Sequence, residues 1–219
     1  MIYSQKLRRI LPQQFLSRLR IQRTQRLNQL SRFVFPKRKR IIRSKHNSFI
    51  TNKINQIFQL NNNLKIFDTL FSVNSESEIK WKPFENKWCL LEIVCHLYDE
   101  EKEDFRPRLA KILNGDHNWD PIDPQGWVLS RNYMEKDFTE MLNKFLDERK
   151  RSVDWLKSLN INDWNIKAVH PKLGEFTAYQ MLCCWLAHDF LHMRQILKLK
   201  YQLLESGPGK DMLRYAGDL

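Results

Sequence analysis

Two histidines four residues apart, His188 and His192 in the run His-Asp-Phe-Leu-His, are the side chains best placed to do chemistry. On a helix, residues at i and i+4 share one face, with Cβ atoms about 5–6 Å apart. Two imidazoles so placed can reach one metal ion at about 2.0–2.1 Å per bond. A third histidine from another helix completes three protein ligands and leaves a position open, the pattern of catalytic rather than structural sites. His96, in the apolar run from Trp88 to Leu97, is the candidate third ligand. Spacing alone leaves the plainer alternative open, because helices pair histidines by chance and a lone histidine on an apolar face is usually a hydrogen-bonded packing residue. His46 sits in an N-terminal tail, and His117 and His170 sit in loops.

Several neighbours could assist. Glu100 is i+4 from His96 and Gln195 is i+3 from His192, so both can point toward a shared ion and orient ligands or substrate. Asp189 follows His188 as Glu follows the first histidine of His-Glu-x-x-His zinc proteases. It is one methylene shorter, and no third histidine occurs in the last 27 residues, which disfavours a protease. Asp189 is expected instead to hold a neighbouring side chain or helix in register. Cys184, i−4 from His188, could add a thiolate, although a small buried hydrophobe is the simpler expectation. Trp119 and Trp127 are candidates to roof a cleft. No Ser or Cys triad is evident.

The elements that must position these residues read as helices. Ile54, Phe58, Leu64, Phe67, Leu70 and Phe71 predict a first helix from about residue 48, and 74–85 reads as a loop. A second helix runs from Cys89 to Leu113, with Pro107 expected to bend or break it. Residues 116–131 form a long loop of functional length. A third helix is expected after Asn132, where Asn-x-x-Glu135 reads as a capping box, and runs to about Leu159. Residues 160–176 are a connection with a turn at Pro171–Gly174. The fourth helix opens at the Thr177-x-x-Gln180 capping box and ends near Leu199. Four helices without convincing strand pairs predict an all-α bundle over 48–200, with a basic extension over 1–47 and a tail over 201–219.

The net charge of +12 is unevenly distributed. Residues 1–46 carry 14 Lys/Arg and no acid, whereas the other 173 residues carry 23 bases against 25 acids. The bundle is therefore near neutral. The extension reads as solvated and disordered, as an organelle transit peptide or nuclear address, as a patch for nucleic acid or anionic membrane, or as sequence outside the working protein. No aromatic platform or groove-reading motif accompanies the charge. Cys89, Cys95, Cys183 and Cys184 lie in apolar runs without Cys-x-x-Cys spacing and read as buried thiols of a reducing, cytoplasmic compartment. No stretch approaches the roughly 18–20 apolar residues of a membrane span.

Trp88-Cys89-x-x-Glu92-Ile93-Val94-x-His96-Leu97 resembles the Trp-Ser-x-x-Glu signature of the DinB-like (YfiT-like) metalloenzyme family. Gly174-x-x-Thr177 followed by His188-Asp189-x-x-His192-x-x-Gln195 resembles its second motif, and Arg149 is also in family style. The match covers roughly residues 50–200. The resemblance implies an up-down-down-up four-helix bundle in which His96, His188 and His192 bind a divalent metal, Ni or Zn foremost, with Fe or Mn as further options. Assigned activities in that family include thiol S-transfer with low-molecular-weight thiols and a mycothiol-dependent isomerisation, so the resemblance admits a low-molecular-weight thiol co-substrate. A metal-activated water or thiol makes hydrolase or S-transferase chemistry the expectation here. One departure is Cys89 in place of the family's Ser, a poorer helix cap by about 1 kcal/mol. The favoured expectation is a metal-dependent enzyme acting on a small molecule. The alternatives are a non-catalytic metal-binding module docked by its basic segment, and a dimerisation bundle forming a homodimer.

Overall fold

Apolar residues recurring every three to four positions build four long helical segments in this computed structural model, which describes residues 45–73, 75–116, 118–160 and 164–217, with side chains from residue 53 onward. They lie in one unit, Lys45–Leu219; residues 1–44, which hold most of the expected basic extension, fall outside the described residues. Helix α1 is Lys45–Leu70, followed by the short α2, Glu76–Lys80, where the sequence reads as loop. Helix α3, Leu90–Glu100, passes through one π-helical turn, Glu101–Phe105, into α4, Arg106–Leu113. Helix α5 is Pro124–Ser130, α6 is Phe138–Ser158 and α7 is Ala178–Ser206.

Cross-helix contacts define the directions. Phe67 meets Phe145 and Phe71 meets Phe138, so α1 and α6 are antiparallel. Arg149 reaches Glu101 while Arg106 donates to Ser152 Oγ one turn further along, so α3–α4 and α6 run parallel. Glu101 meets Trp185 and His96 meets His192, so α3–α4 opposes α7. Gln56 with Tyr179 and Asn63 with Asp189 make α1 and α7 parallel. The bundle is therefore up-down-down-up. The parallel step from α4 to α6 requires the chain to travel back along the bundle, and the stretch carrying α5 makes that return.

Several local expectations change. In α1 the buried stripe is Ile57, Leu60, Asn63, Phe67 and Phe71; Ile54 and Phe58 face outward. Pro107 does not end its helix. It has no N–H to donate and falls in the first turn after the wider π turn, where that loss is tolerated. Helix α6 is capped by Asp137, whose Oδ1 accepts the Glu140 N–H at 2.7 Å; Asn132 takes a left-handed conformation (φ 51°) before a 3₁₀ turn, Tyr133–Glu135. The 160–176 connection holds a hairpin, β1 (Lys167–His170) with β2 (Gly174–Thr177), in antiparallel register from Lys167–Thr177 to His170–Gly174. Its turn is pinned by His170 Nδ1, which accepts the N–H groups of Lys172 and Leu173. Helix α7 opens with the expected Thr177–Gln180 box but continues past Leu199 to Ser206.

Two apolar clusters fill the bundle, separated by one polar layer. One holds Phe67, Phe71, most of α3, Phe138, Phe145, Met193 and Ile196. The other holds Ile57, Leu60, Phe105, Leu109, Val153, Leu156, Leu182 and Trp185. Between them, each of the four helical segments contributes one buried polar side chain: Asn63, Glu101, Arg149 and Asp189. Arg149 donates to both Asp189 oxygens at 2.6 and 2.7 Å, and its Nε stands 2.8 Å from Glu101 Oε1. Asn63 Nδ2 donates to Asp189 Oδ2 at 2.7 Å, and Trp185 Nε1 to Glu101 Oε2 at 2.9 Å. Burial opposes charge on Arg149, but the two carboxylates outweigh it and hold its pKa above the usual value. Replacing Arg149 with Met leaves two buried carboxylates uncompensated and is expected to cost about 3–5 kcal/mol in urea unfolding. The quadruple variant N63L/E101L/R149M/D189L is expected to recover most of that loss, because the layer then holds no stranded charge and no unpaired Asn63 amide.

Candidate metal centre

Helix α3 enters its position through Glu92, which accepts the Cys89 N–H at 2.9 Å and Lys82 Nζ at 2.6 Å. This is the return bond of a capping box, so α3 starts cleanly despite Cys at its cap. Nearly every residue of α3 is buried, because it packs against both α6 and α7. On α7, the Asp189 bond to Arg149 turns that residue to the bundle centre. His188 and His192, on the adjoining side of the helix, then face α3. His96 meets them there: ring centroids lie 5.4 Å (His96–His188), 4.8 Å (His96–His192) and 4.3 Å (His188–His192) apart. One donor nitrogen from each histidine lies within 4.8 Å of the others. The three sequence candidates are thus one cluster, with His96 and His192 buried and His188 half-buried.

Each ring is held from outside the cluster. Trp88 packs on His96 and Phe105 on His188, both with centroids at 4.8 Å. His192 Nδ1 is 2.8 Å from Gln195 Oε1, which places the ring proton on Nδ1 and leaves an Nε2 lone pair. That Nε2 stands 3.0 Å from His188 Nε2. Two nitrogens that bind one ion at about 2.0–2.1 Å stand about 3 Å apart, so the spacing suits a shared cation. His96 Nδ1 is buried with no hydrogen-bond partner, and the Glu100 carboxylate lies 4.0 Å away. The donor set therefore fits a divalent ion.

Burial lowers the pKa of all three histidines. His96 falls to about 3, through burial and then His192. His188 falls well below its usual value through burial, then His192, His96 and Arg149. His192 is lowered by burial, against opposition from Gln195 and Asp189. All three rings are neutral near pH 7, so their lone pairs are available to a metal. Glu100 moves the other way: burial, then Asp104, push it up to about 8, so it carries a proton at neutral pH.

Beside the rings opens a cleft of about 320 Å³, lined by Asn86, Lys87, Trp88, Gln125, Gln195, His96 and His192. Gln195 thus touches both a ring and the cleft. Trp119 and Trp127 do not line it: Trp119 packs against His170 beneath Arg108, and Trp127 lies beneath Arg131. Gln125, from the same stretch, lines the cleft instead. Cys184 is exposed and Cys183 half-buried, so the expectation of four buried thiols holds only for Cys89 and Cys95. Cys184 faces away because its neighbour Trp185 takes the inward position. Asn63 and Glu101 are not singled out by sequence pattern: each is a polar residue on the apolar face of its helix, and the partner that explains it lies on another helix.

The family profile of the DinB superfamily matches residues 59–196. The chain belongs to the DinB superfamily. Among solved structures it is similar to YfiT from Bacillus subtilis, described as a probable metal-dependent hydrolase with an unusual four-helix bundle topology. The likeness has a TM-score of 0.63 at 18% identity and covers 77% of this chain and 93% of YfiT. No curated protein matches. At that identity the likeness establishes the DinB bundle, and the case for chemistry rests on the histidines.

The lowered histidine pKa values set a direction for acid stability. Unfolded histidines take up protons below about 6.5, while the folded rings resist. Metal-free protein is therefore expected to lose stability as pH falls from about 6.5 toward 3, with His96 alone contributing up to about 1.4 kcal/mol per pH unit. Glu100, raised when folded, acts oppositely, favouring the fold below about 4.5 and losing that contribution as pH climbs to about 8. Glu101 is raised by burial as well, so the histidine share is read against H96F: between pH 7 and 5 the urea midpoint of EDTA-treated wild type should fall relative to that of H96F. An unchanged difference between the two proteins contradicts the buried neutral ring.

Proposed function

We propose that this protein is a metal-dependent enzyme in which His96, His188 and His192 hold a divalent ion for hydrolysis or small-thiol S-transfer on a small-molecule substrate. The observation that carries the reading is the convergence of three imidazoles, two buried and one half-buried, from two helices beside an open cleft. A divalent ion held there supplies Lewis-acid polarisation and lowers the pKa of water or a thiol that it binds. Three imidazole ligands leave room for that partner. Imidazole suits Ni, Zn, Fe and Mn alike, with Ni or Zn favoured by the family resemblance.

The surrounding residues have separate tasks. Gln195 fixes the His192 tautomer through its Oε1. Trp88 and Phe105 pack against the other two rings and hold their orientation. Glu100, protonated near neutral pH and 4.0 Å from His96 Nδ1, can hold or release a proton at its carboxyl at the edge of the cluster.

Elemental analysis of the purified full chain tests this reading. About one divalent ion per chain is expected, with H192A weakened at least about 100-fold and Q195L by about 10–100-fold, the range for removing a ligand's supporting hydrogen bond. Protein without metal, or H192A binding as well as wild type, overturns it.

A second reading rests on the 14 Lys/Arg in residues 1–46: a binding module whose basic segment docks to nucleic acid or anionic membrane. Salt titration of binding to duplex DNA and to anionic vesicles, with and without residues 1–44, decides it. Salt-sensitive binding that vanishes on truncation supports it, and negligible binding by the full chain removes it. Among the described residues no helix is long and apolar enough to cross a membrane.

A further inference from the structure

Resting on the metal-centre reading above, we infer that Lys87 makes the cleft selective for substrates bearing an anionic oxyacid group, a carboxylate or a phosphate. Lys87 is exposed on the segment leading into α3, and it lines the same cleft as His96 and His192. It is the one charged side chain among the lining residues; the others are amides, Trp88 and the two histidines. No carboxylate lines the cleft to neutralise it, and among the described residues Lys87 makes no ion pair. The neighbouring Lys82 has a different fate, bound to Glu92 at 2.6 Å.

The charge balance of the site points the same way. All three metal donors are neutral imidazoles, so none offsets the charge of a divalent ion. Behind the rings, Glu101 and Asp189 are committed to Arg149, and Glu100, 4.0 Å from His96 Nδ1, does not line the cleft. With a divalent ion held by the rings, the cleft would join a cationic floor to a cationic rim, with no acid among its lining residues. A ligand that presents one anionic group to Lys87 and its reacting group to the rings matches both ends. Asn86 and Gln125 add amide donors and acceptors for polar substituents, and the Trp88 ring forms a flat wall. The volume of about 320 Å³ lies at the lower end of small-molecule sites, so the ligand is metabolite-sized.

Cobalt-loaded full-length protein provides a readout that needs no activity assay. The visible d–d bands are followed while inorganic phosphate or acetate is titrated at fixed ionic strength. The variants are K87A, K87R and K65A, the last removing an exposed lysine on α1 that does not line the cleft. K87A is expected to bind phosphate, acetate or both about two- to fivefold more weakly, the scale of one partly screened charge contact, with K87R close to wild type and K65A unchanged. Loss for phosphate alone assigns a phosphate group, loss for acetate alone a carboxylate, and loss for both a site that reads charge. Cobalt uptake with unchanged anion affinity in K87A overturns this inference alone, as does an equal loss in K65A. Failure of wild-type protein to take up cobalt overturns the metal-centre reading as well.

Discussion

The Arg149 guanidinium, buried at the centre of the bundle, is the constraint to which the rest of the structure answers. It ties α6 to Asp189 of α7 on the diagonal and to Glu101 between α3 and α4, while Asn63 of α1 completes the layer. A buried ion network of this kind is a weak source of net stability, since desolvation consumes most of the Coulomb attraction. Its value lies in direction. An apolar interface tolerates small rotations of a helix, whereas a two-point guanidinium–carboxylate bond does not. With Asp189 held at the centre, His188 and His192 have one place to face.

The histidine cluster inherits this precision from both sides. Asp189 adjoins His188 in sequence, and Glu101 follows the α3 helix that carries His96. Glu101 continues the buried face of Val94 and Leu97 and so points at Arg149 and Trp185, while the π turn that it opens accommodates Pro107 just beyond. The layer separating two apolar clusters is therefore also the frame of the site. The rings are kept neutral by burial, and Gln195 selects which nitrogen of His192 is left bare. Stability and ligand geometry depend on the same few contacts.

The cleft has the opposite character. Its rim comes from the exposed segment before α3 and from the return stretch that carries α5, elements that the up-down-down-up topology forces to cross one end of the bundle. Rim residues such as Lys87 and Gln125 pack little and can vary without disturbing the frame. Separation of a rigid donor set from a variable rim is how one bundle can serve different substrates.

Much of this was legible in the amino-acid sequence. The His188–His192 spacing, the Thr177–Gln180 cap, the apolar period of α3 and α7 and the family motifs were local patterns, and a helix preserves local spacing as geometry. The pairing of His96 with that couple was carried by resemblance rather than by spacing. What the tertiary structure alone decided depended on partners distant in the chain. Asn63 breaks an apolar stripe and looks like an error until Asp189 faces it. Glu101 continues the apolar face of Val94 and Leu97 and looks misplaced until Arg149 faces it. The hairpin escaped notice because each strand has four residues and little alternation, and Asn132 yielded its cap role to Asp137 once its backbone turned left-handed. Sequence periodicity reports which face of an element is apolar; only assembly shows which polar groups on that face find one another.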